Sequence, residues 1–530
     1  MTPADTHAAL LAQLRRPGAC GGHPDAAGLI QTHISSLLLA GGQVFKLLRP
    51  VALPFVDFST LARRQSACDE SLRLNRRTAP HWYQAVVPVI ETATGACIPA
   101  PGRAPPAGPV IDFALQMRRF DDRLLYSRLA AQGALTGAQV DALAAALAAF
   151  HNALPPSPPA FGDPAALRRL VAHNLQELAS LLATAPWQAV PGVADAAADV
   201  ARLQAWAATR GAALAGLMQQ RRAAGAVREG HGDLHLANVV WADGGSVLFD
   251  ALEFDPQLRH IDLVGDTSFA FMDLLAAGQP DLAWRLASAW LEATDQHDGL
   301  PLLGWWALHR AAVRAKVALL SLPAAPAPTA LPDDLHRYLA VASGLAAPAD
   351  APPWLVLTCG LSGSGKSGVA AALAEHLGGI RLRSDVERKR LAGLPPTARG
   401  GPALYTPEAG VRTYARLQAL AAGALAAGVP VVVDAASLQQ SERLAMQAVA
   451  ERSGARFRLL VCQAPADVLL QRVHARQAAG HDASDATGEV LARQQGWVQW
   501  PGADEATHTL WLDTDAPPDV VRARVQSLAL

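Results

Sequence analysis

The sequence predicts a multidomain chain, α+β in its N-terminal part and α/β in its C-terminal part. The first part is two-lobed, a small sheet leading into a mostly helical lobe; the second is a parallel sheet covered by helices. Three observations predict this. At 530 residues the chain is several times longer than the ~100 to 200 residues of one typical domain. Proline and alanine crowd SLPAAPAPTALP (Ser321 to Pro332) and APADAPP (Ala347 to Pro353), a composition that resists both helices and sheet ladders and marks a semi-rigid linker. Beyond that break, apolar runs of strand length alternate with helical pattern, the signature of a parallel sheet with both faces covered. The expected segments are an N-terminal extension (1–24), a first domain (25–320), a linker with a short helix (321–351) and a second domain (352–530).

Composition narrows the function classes. Half the residues are hydrophobic (51%) and 17% are charged, as in a globular protein, and the formal net charge is −1. That charge supplies no global basic field, so a nucleic-acid partner is not expected. The five cysteines are scattered and show no CxxC or Cys/His pairing, which points to buried thiols and not to zinc. The stretch MTPADTHAALLAQLRRPGAC has an early acidic residue and no uninterrupted apolar core, so no secretory signal is expected. No run of about 18 uncharged apolar residues predicts a membrane span, and a reducing cytoplasm is the expected compartment. The oligomeric state is not legible.

In the first domain, LLLAGGQVFKLL (Leu37 to Leu48) predicts two short strands around a Gly-Gly turn. FSTLARRQSACDESLRLNRR (Phe58 to Arg77) predicts an amphipathic helix, and VDALAAALAAFHNAL and LVAHNLQELASLLATA predict further helices. HGDLHLANVVWADGGSVLFDALEFD (His231 to Asp255) is the chemical signature of this half. It opens with the His-x-Asp-x-x-x-x-Asn spacing of kinase catalytic loops, in which the Asp accepts the substrate proton and the Asn ligates Mg²⁺. The matching residues are Asp233 and Asn238. A strand, a turn at Ala242-Asp243-Gly244-Gly245 and a second strand then lead to Asp250, which stands where kinases keep their metal-binding Asp.

In the second domain, WLVLTCG (Trp354 to Gly360) is an apolar strand entering GLSGSGKS (Gly360 to Ser367), and SGVAAALAEHL is a helix leaving it. Gly360, Gly363 and Gly365 let the backbone curl so that its N–H groups, those of Ser362 and Ser364 among them, face phosphates at the positive end of the helix. Lys366 reaches the β/γ-phosphates and the Ser367 hydroxyl ligates Mg²⁺, so ATP or GTP with Mg²⁺ is expected here. VVVDAASL puts Asp434 at the end of a buried strand, where its carboxylate serves Mg²⁺ or caps the following helix. RSDVERKRL follows the strand-like IRLR and sets Asp385 and Arg388 at the carboxyl edge of the sheet, where ligands bind in such folds. Arg472 and Arg476 stand one helical turn apart in RVHARQAAGHDASDAT.

These elements resemble known families. The catalytic-loop hairpin resembles that of aminoglycoside-phosphotransferase and choline-kinase-like enzymes, which have a protein-kinase-like two-lobed fold. That resemblance implies Lys46 as the lysine holding the α/β-phosphates and Glu70 as its ion-pair partner. There is no GxGxxG before Lys46, no Phe-Gly after Asp250 and no Ala-Pro-Glu beyond, so protein substrates are not expected. Asp262 and Asp266 in DPQLRHIDLVGD fit the same resemblance, although helix capping and core ion pairs explain such residues equally well.

The second domain resembles small P-loop kinases of the gluconate-kinase-like and polynucleotide-kinase-like kind. This implies Asp385 as the proton acceptor, Arg388 as a substrate contact, and Arg472 and Arg476 as lid arginines over the phosphates. The domain order is similar to that of the bacterial bifunctional aminoglycoside phosphotransferase/ATP-binding protein family. The expectation is an ATP- and Mg²⁺-dependent phosphotransferase with two sites and small-molecule hydroxyl acceptors. Two alternatives stand beside it: a nucleotide sensor in which one domain gates the other, and a polynucleotide 5′-kinase.

Overall fold

The computed structural model describes residues 3–53, 56–100, 102–184, 186–321, 328–348, 350–396, 398–479 and 483–528, without the side chains of 3, 4, 402 and 403. Half of the expected linker SLPAAPAPTALP, residues 322–327, lies outside the described residues, as do 349 in APADAPP and 480–482 after Arg476. The chain forms two compact units, one of residues 1–277 and 304–346, the other of residues 278–303 and 347–530.

The first unit opens on a six-stranded antiparallel sheet: β1 (Gly28–Gln31), β2 (Ser35–Ala40), β3 (Gln43–Leu48), β4 (Tyr83–Thr92), β5 (Gly95–Cys97) and β6 (Val110–Arg118), in the order β1-β2-β3-β6-β4-β5. The Gly-Gly turn between β2 and β3 is present, with Gly41 at φ +58. Helix Leu61–Asn75 starts where Thr60 accepts the Arg63 N–H, and its Cys68 packs with Leu48, Val56 and Phe58. This places the middle of the helix, Ala67 to Ser71, beside the sheet residue Lys46.

Below the sheet lies the helical lobe, with helices Gly137–Ala153, Pro164–Leu182, Val193–Ala223, Leu263–Ala276 and Leu300–Leu320. The expected hairpin is β7 (Val239–Ala242) and β8 (Gly245–Leu248). Its turn has Asp243 at φ +52 and Gly244 at φ +81, the two positive values that a tight two-residue hairpin turn requires.

Two features depart from the expected boundaries. Helix Asp333–Ala346, expected as a short piece of linker, buries Leu335, Tyr338, Leu339 and Ala342 and is part of the first unit. Helix Pro280–Thr294, expected within the first domain, belongs to the second unit. It buries Ala283, Leu286, Ala287, Trp290 and Leu291 on one face, and Arg285 Nη1 donates to Glu375 Oε1 at 2.8 Å on the helix after the P-loop. An amphipathic face announces that it will be buried, not against what.

The second unit is built on five parallel strands: β9 (Trp354–Cys359), β10 (Ile380–Arg383), β11 (Val431–Asp434), β12 (Arg456–Gln463) and β13 (Thr509–Asp513), in the order β10-β11-β9-β12-β13. Every residue of β9 and β11 is buried, as expected of central strands covered on both faces. This order sets the end of β11, Asp434, directly beside the strand that enters the glycine loop.

Candidate functional sites

In the first unit the catalytic loop is fixed from behind by a buried carboxylate. Asp266, 1% exposed, accepts the N–H groups of His231 (2.7 Å) and Gly232 (2.8 Å), and His151 Nε2 lies 3.0 Å from it. A Cβ at Gly230 would stand 2.5 Å from Asp266 Oδ2, so glycine is required for the loop to approach that closely. His231 Nε2–H donates to the Phe249 carbonyl at 2.9 Å and ties the loop to the end of the hairpin. Asp266, set beside Asp262 in the sequence, is thus a scaffold for the loop, and Asp262 takes a separate ion pair with buried Arg221 at 2.8 Å.

Asp233 and Asn238 come together on this scaffold. Asn238 Nδ2 donates to the Asp233 carbonyl (2.8 Å) and carboxylate (3.2 Å), which leaves the Asn238 oxygen as the atom open to a cation. His235 Nε2 stands 3.5 Å from Asp233 Oδ2. Burial pushes the Asp233 carboxyl up, but the charges of His235 and Arg310 outweigh it and hold the group well below the usual carboxylate range. It is ionised at any physiological pH.

Lys46 Nζ donates to Asp250 Oδ1 at 2.7 Å. The Asp250 N–H donates to the Tyr83 hydroxyl (3.0 Å) and the Ala251 N–H to Asn75 Oδ1 (2.8 Å). Asp250 holds φ +59, a left-handed conformation that is strained for a residue with a side chain and typical of functional sites. Burial alone would lower the Lys46 pKa, but the carboxylates of Asp250 and Glu253 reverse the sign and raise it. A cavity of about 430 Å³ opens beside this pair, bounded by β1 to β3, by Met117 to Asp122 at and beyond the end of β6, and by Phe249. Its aromatic wall stacks Trp82 on Phe120, with ring centroids 5.0 Å apart. A purine nucleotide suits such a slot, an apolar chamber with a cation and a carboxylate at one end.

The expected Lys46–Glu70 pair is not formed: Lys46 pairs with Asp250 and Glu70 with Arg73 and Arg259. Glu70 faces the other way, accepting from Arg73 (2.7 Å) and Arg259 (2.6 Å) in a cluster with Glu229. The carboxylate that shares the small cavity under Lys46 with Cys68 and Ser71 is Glu253, three residues past Asp250 and 8% exposed. Helix Leu61–Asn75 offers two acidic residues one apart, and only the rotation of the helix against the sheet decides which way each points.

In the second unit the glycine loop has the backbone its sequence demands. Gly360, Gly363 and Gly365 hold φ +149, +83 and +76, and a Cβ at Gly363 would stand 2.4 Å from the Leu469 carbonyl. Ser362 N–H donates to Gln494 Oε1 at 2.9 Å. Ser364 is buried, and its carbonyl accepts from Thr514 Oγ1 at 2.9 Å. Lys366 folds over the loop, donating to the Leu361 carbonyl (2.7 Å) and reaching Ser364 Oγ (3.3 Å). Burial lowers its pKa against the pull of Cys462 and Asp434.

Asp434, 6% exposed, leaves its buried Oδ2 without a hydrogen-bond partner, with Arg383 Nε at 3.8 Å. An orphaned carboxylate oxygen beside a phosphate loop fits a divalent cation, and Ser367 on the first turn of the loop's helix completes the donor set that Mg²⁺ takes alongside phosphate oxygens. Arg388 Nη1 donates to Asp385 Oδ1 at 2.8 Å, its guanidinium covers the Tyr405 ring at 5.1 Å, and its buried Nε has no partner. Arg472 reaches the loop itself, donating to the Thr514 carbonyl (2.8 Å) and, at 3.5 Å, to that of Gly363. Arg476 is directed elsewhere, to the Ala486 carbonyl at 3.5 Å.

Several residues of these sites carried no motif: Glu253, Tyr83, Asn75 and Thr514. Only Glu253 had a signal, an acid in the run after Asp250.

Comparison with known proteins finds two family matches, the first of which runs through helix Pro280–Thr294. Residues 105–300 match the model of the phosphotransferase enzyme family, and residues 355–501 match that of an AAA domain. Proteins of Mycobacterium tuberculosis and Mycobacterium bovis are each 28% identical over 501 residues, spanning 91% of this chain and 93% of their own length. A gluconokinase from Sinorhizobium meliloti is similar at 23% identity and TM-score 0.26, over 33% of this chain and 91% of its own. A choline/ethanolamine kinase family protein from Mesorhizobium loti is similar at 10% identity and TM-score 0.37, over 65% of this chain and 95% of its own. No helix of the described residues is long and apolar enough to cross a membrane.

Proposed function

We propose that this chain, which carries a phosphotransferase-family domain followed by a P-loop kinase-like domain, transfers the γ-phosphoryl group of ATP to small-molecule hydroxyls at two sites. The observation that carries the reading is the convergence in the first unit. One short loop holds an ionised carboxylate and an amide in contact, Asp233 and Asn238, while Lys46 and Asp250 pair at the end of a nucleotide-sized cavity.

In the reaction, the bond from the γ-phosphorus to the bridging oxygen of ADP breaks and a bond to the acceptor oxygen forms. The acceptor's proton passes to Asp233 in the first site and to Asp385 in the second. A carboxylate held as low as Asp233 is a weak base, so its main task is to orient the hydroxyl, which suits a loose transition state in which proton transfer comes late. When bound, Mg²⁺ neutralises the phosphate oxygens, and the residues that would hold it are Asn238 and Asp250 in the first site and Ser367 and Asp434 in the second. Lys46 and Lys366 hold the phosphates, and Arg472, already on the P-loop, closes its far side. The near-zero net charge favours small acceptors over a polynucleotide.

The test is a screen of a metabolite library with γ-labelled ATP on wild type, Lys366→Ala and Asp233→Ala. Label in two distinct acceptors, each lost in one variant, supports two transfer sites. Label only in free phosphate counts against transfer and favours the nucleotide-sensor alternative.

A further inference from the structure

Two arginines on helix Leu300–Leu320 flank the catalytic loop of the first unit, and neither forms an ion pair within 4 Å with a carboxylate among the described residues. Arg310 is 5% exposed. Its guanidinium lies over the rings of Phe269 (4.9 Å) and Trp306 (5.9 Å), it makes one long bond of 3.5 Å to the Gly265 carbonyl, and its buried Nε has no partner. The same Phe269 ring meets His235 edge-on at 5.5 Å, and His235 stands 3.5 Å from Asp233. Arg310 therefore sits one ring and one imidazole away from the phosphoryl-accepting position.

Arg314 follows one helical turn later, on the same face. Its Nε donates to the Tyr338 hydroxyl at 3.3 Å. Tyr338 in turn donates to Asp273 Oδ1 (2.9 Å), and Asp273 Oδ2 accepts the N–H of Leu236 in the catalytic loop (2.9 Å). Asp233 lies within Coulombic reach of both guanidinium groups.

The nearby carboxylates are occupied. Asp266 is saturated by two loop N–H groups and His151, and Asp273 by Leu236 and Tyr338. Asp233, Asp266 and Asp273 act on these guanidinium groups only at a distance, and a guanidinium taken out of water with one long hydrogen bond and the rest of its donors unmatched is costly. Two of them beside a catalytic carboxylate are explained by an anion that arrives with the substrate.

We infer that the acceptor of the first site carries an anionic oxygen group, a carboxylate or a phosphate, beside its reacting hydroxyl, and that Arg310 and Arg314 receive it. This rests on the first site being a phosphotransferase. It separates the site from one built for polycationic aminoglycosides or for choline, which would require an acidic wall in the same place.

The test uses full-length Lys366→Ala protein, in which only the first site turns over. Matched probes are glycerate against glycerol, glycerol 3-phosphate against glycerol, and the cations choline and kanamycin. The expected result is that one anionic member exceeds its neutral partner in kcat/KM by about 10- to 100-fold, the factor one or two hydrogen bonds between charged groups contribute. The glycerate and glycerol 3-phosphate arms say which group is bound. Arg314→Gln should raise KM for that member about tenfold with KM for ATP unchanged, and Arg314→Lys should restore part of it. Arg310→Met should act in the same direction if it folds, and Arg314→Gln decides the matter if it does not.

Equal or better use of neutral or cationic probes overturns the inference. So does a fall in kcat for every acceptor with KM unmoved, the mark of a merely structural counter-charge. If no probe is phosphorylated, the transfer reading is what has failed; calorimetric titration of the same anions then decides the inference, binding lost in Arg314→Gln supporting it and binding absent or indifferent to Arg314 refuting it.

Discussion

Lys46 and Asp250, 204 residues apart in the chain, meet at 2.7 Å through a single hydrogen-bonded ion pair at the end of the cavity of about 430 Å³. Lys46 is buried on β3, while the Asp250 side chain is 42% exposed toward the cavity. The pair thus joins the sheet to the hairpin of the helical lobe, and it fixes which carboxylate faces the cavity. Asp250→Asn should lower kcat at the first site at least ~100-fold, the scale of losing a charge that holds a catalytic metal. ATP affinity should change by less than about threefold. Initial rates and nucleotide titrations in a Lys366→Ala background check both numbers, and normal turnover would remove Asp250 from the metal site.

Glu70 and Glu253 make opposite predictions. Glu70 serves a half-buried arginine cluster away from Lys46, with Arg259 buried and Arg73 exposed, so Glu70→Gln should cost about 1 to 3 kcal/mol in stability and leave KM for ATP within about twofold. Glu253 is buried beside Lys46, so Glu253→Gln should raise KM for ATP about tenfold. The reverse order would reinstate the Lys46–Glu70 pair.

In the P-loop the glycines are not equivalent. Gly363 at φ +83 has no room for a Cβ, which would stand 2.4 Å from a backbone oxygen, whereas the nearest atom to a Cβ at Gly365 is 3.4 Å away. Gly363→Ala should therefore abolish nucleotide binding by the second unit and destabilise it by more than the ~1 to 3 kcal/mol of backbone strain alone. Gly365→Ala carries only that strain. Melting temperatures and ATP titrations of the two variants should fall in that order.

Stability should depend on pH through groups that folding holds neutral or ionised. Burial lowers the pKa of His231 and His309, and burial with Arg49 and Arg64 takes His7 down to about 4. A histidine depressed in the folded state contributes stability above its unfolded value of about 6.5, and that stability is lost as pH falls toward the folded value. Asp266 follows the same sign at lower pH. Its burial is outweighed by His151 and the loop N–H groups, so its contribution is present above about 4 and lost in stronger acid. Denaturant midpoints followed by tryptophan fluorescence should be flat from pH 8 to 7 and fall progressively from about 6.5 downward; a midpoint unchanged at pH 5 would contradict this.

Features held in a few consecutive residues were legible from the sequence. The P-loop, the Asp233–Asn238 loop, the hairpin turn at Asp243-Gly244 and the buried strand ending in Asp434 all appear where spacing and periodicity put them. Each is set by local backbone geometry and by one buried face, and both leave a period in the sequence. β4 and β6 carried weaker signals, because strands in an antiparallel sheet with two different neighbours mix buried and exposed positions without clean alternation.

What only the tertiary structure decided are the partners. It gave Lys46 to Asp250 and Glu253 instead of Glu70, sent helix Pro280–Thr294 to the P-loop unit, folded helix Asp333–Ala346 onto the first unit, and set Arg310 and Arg314 within Coulombic reach of Asp233. The sequence by itself determined which chemistry is present. Which side chains meet depends on how helices rotate and cross once their apolar faces are packed, a relation between residues hundreds of positions apart that no local pattern encodes.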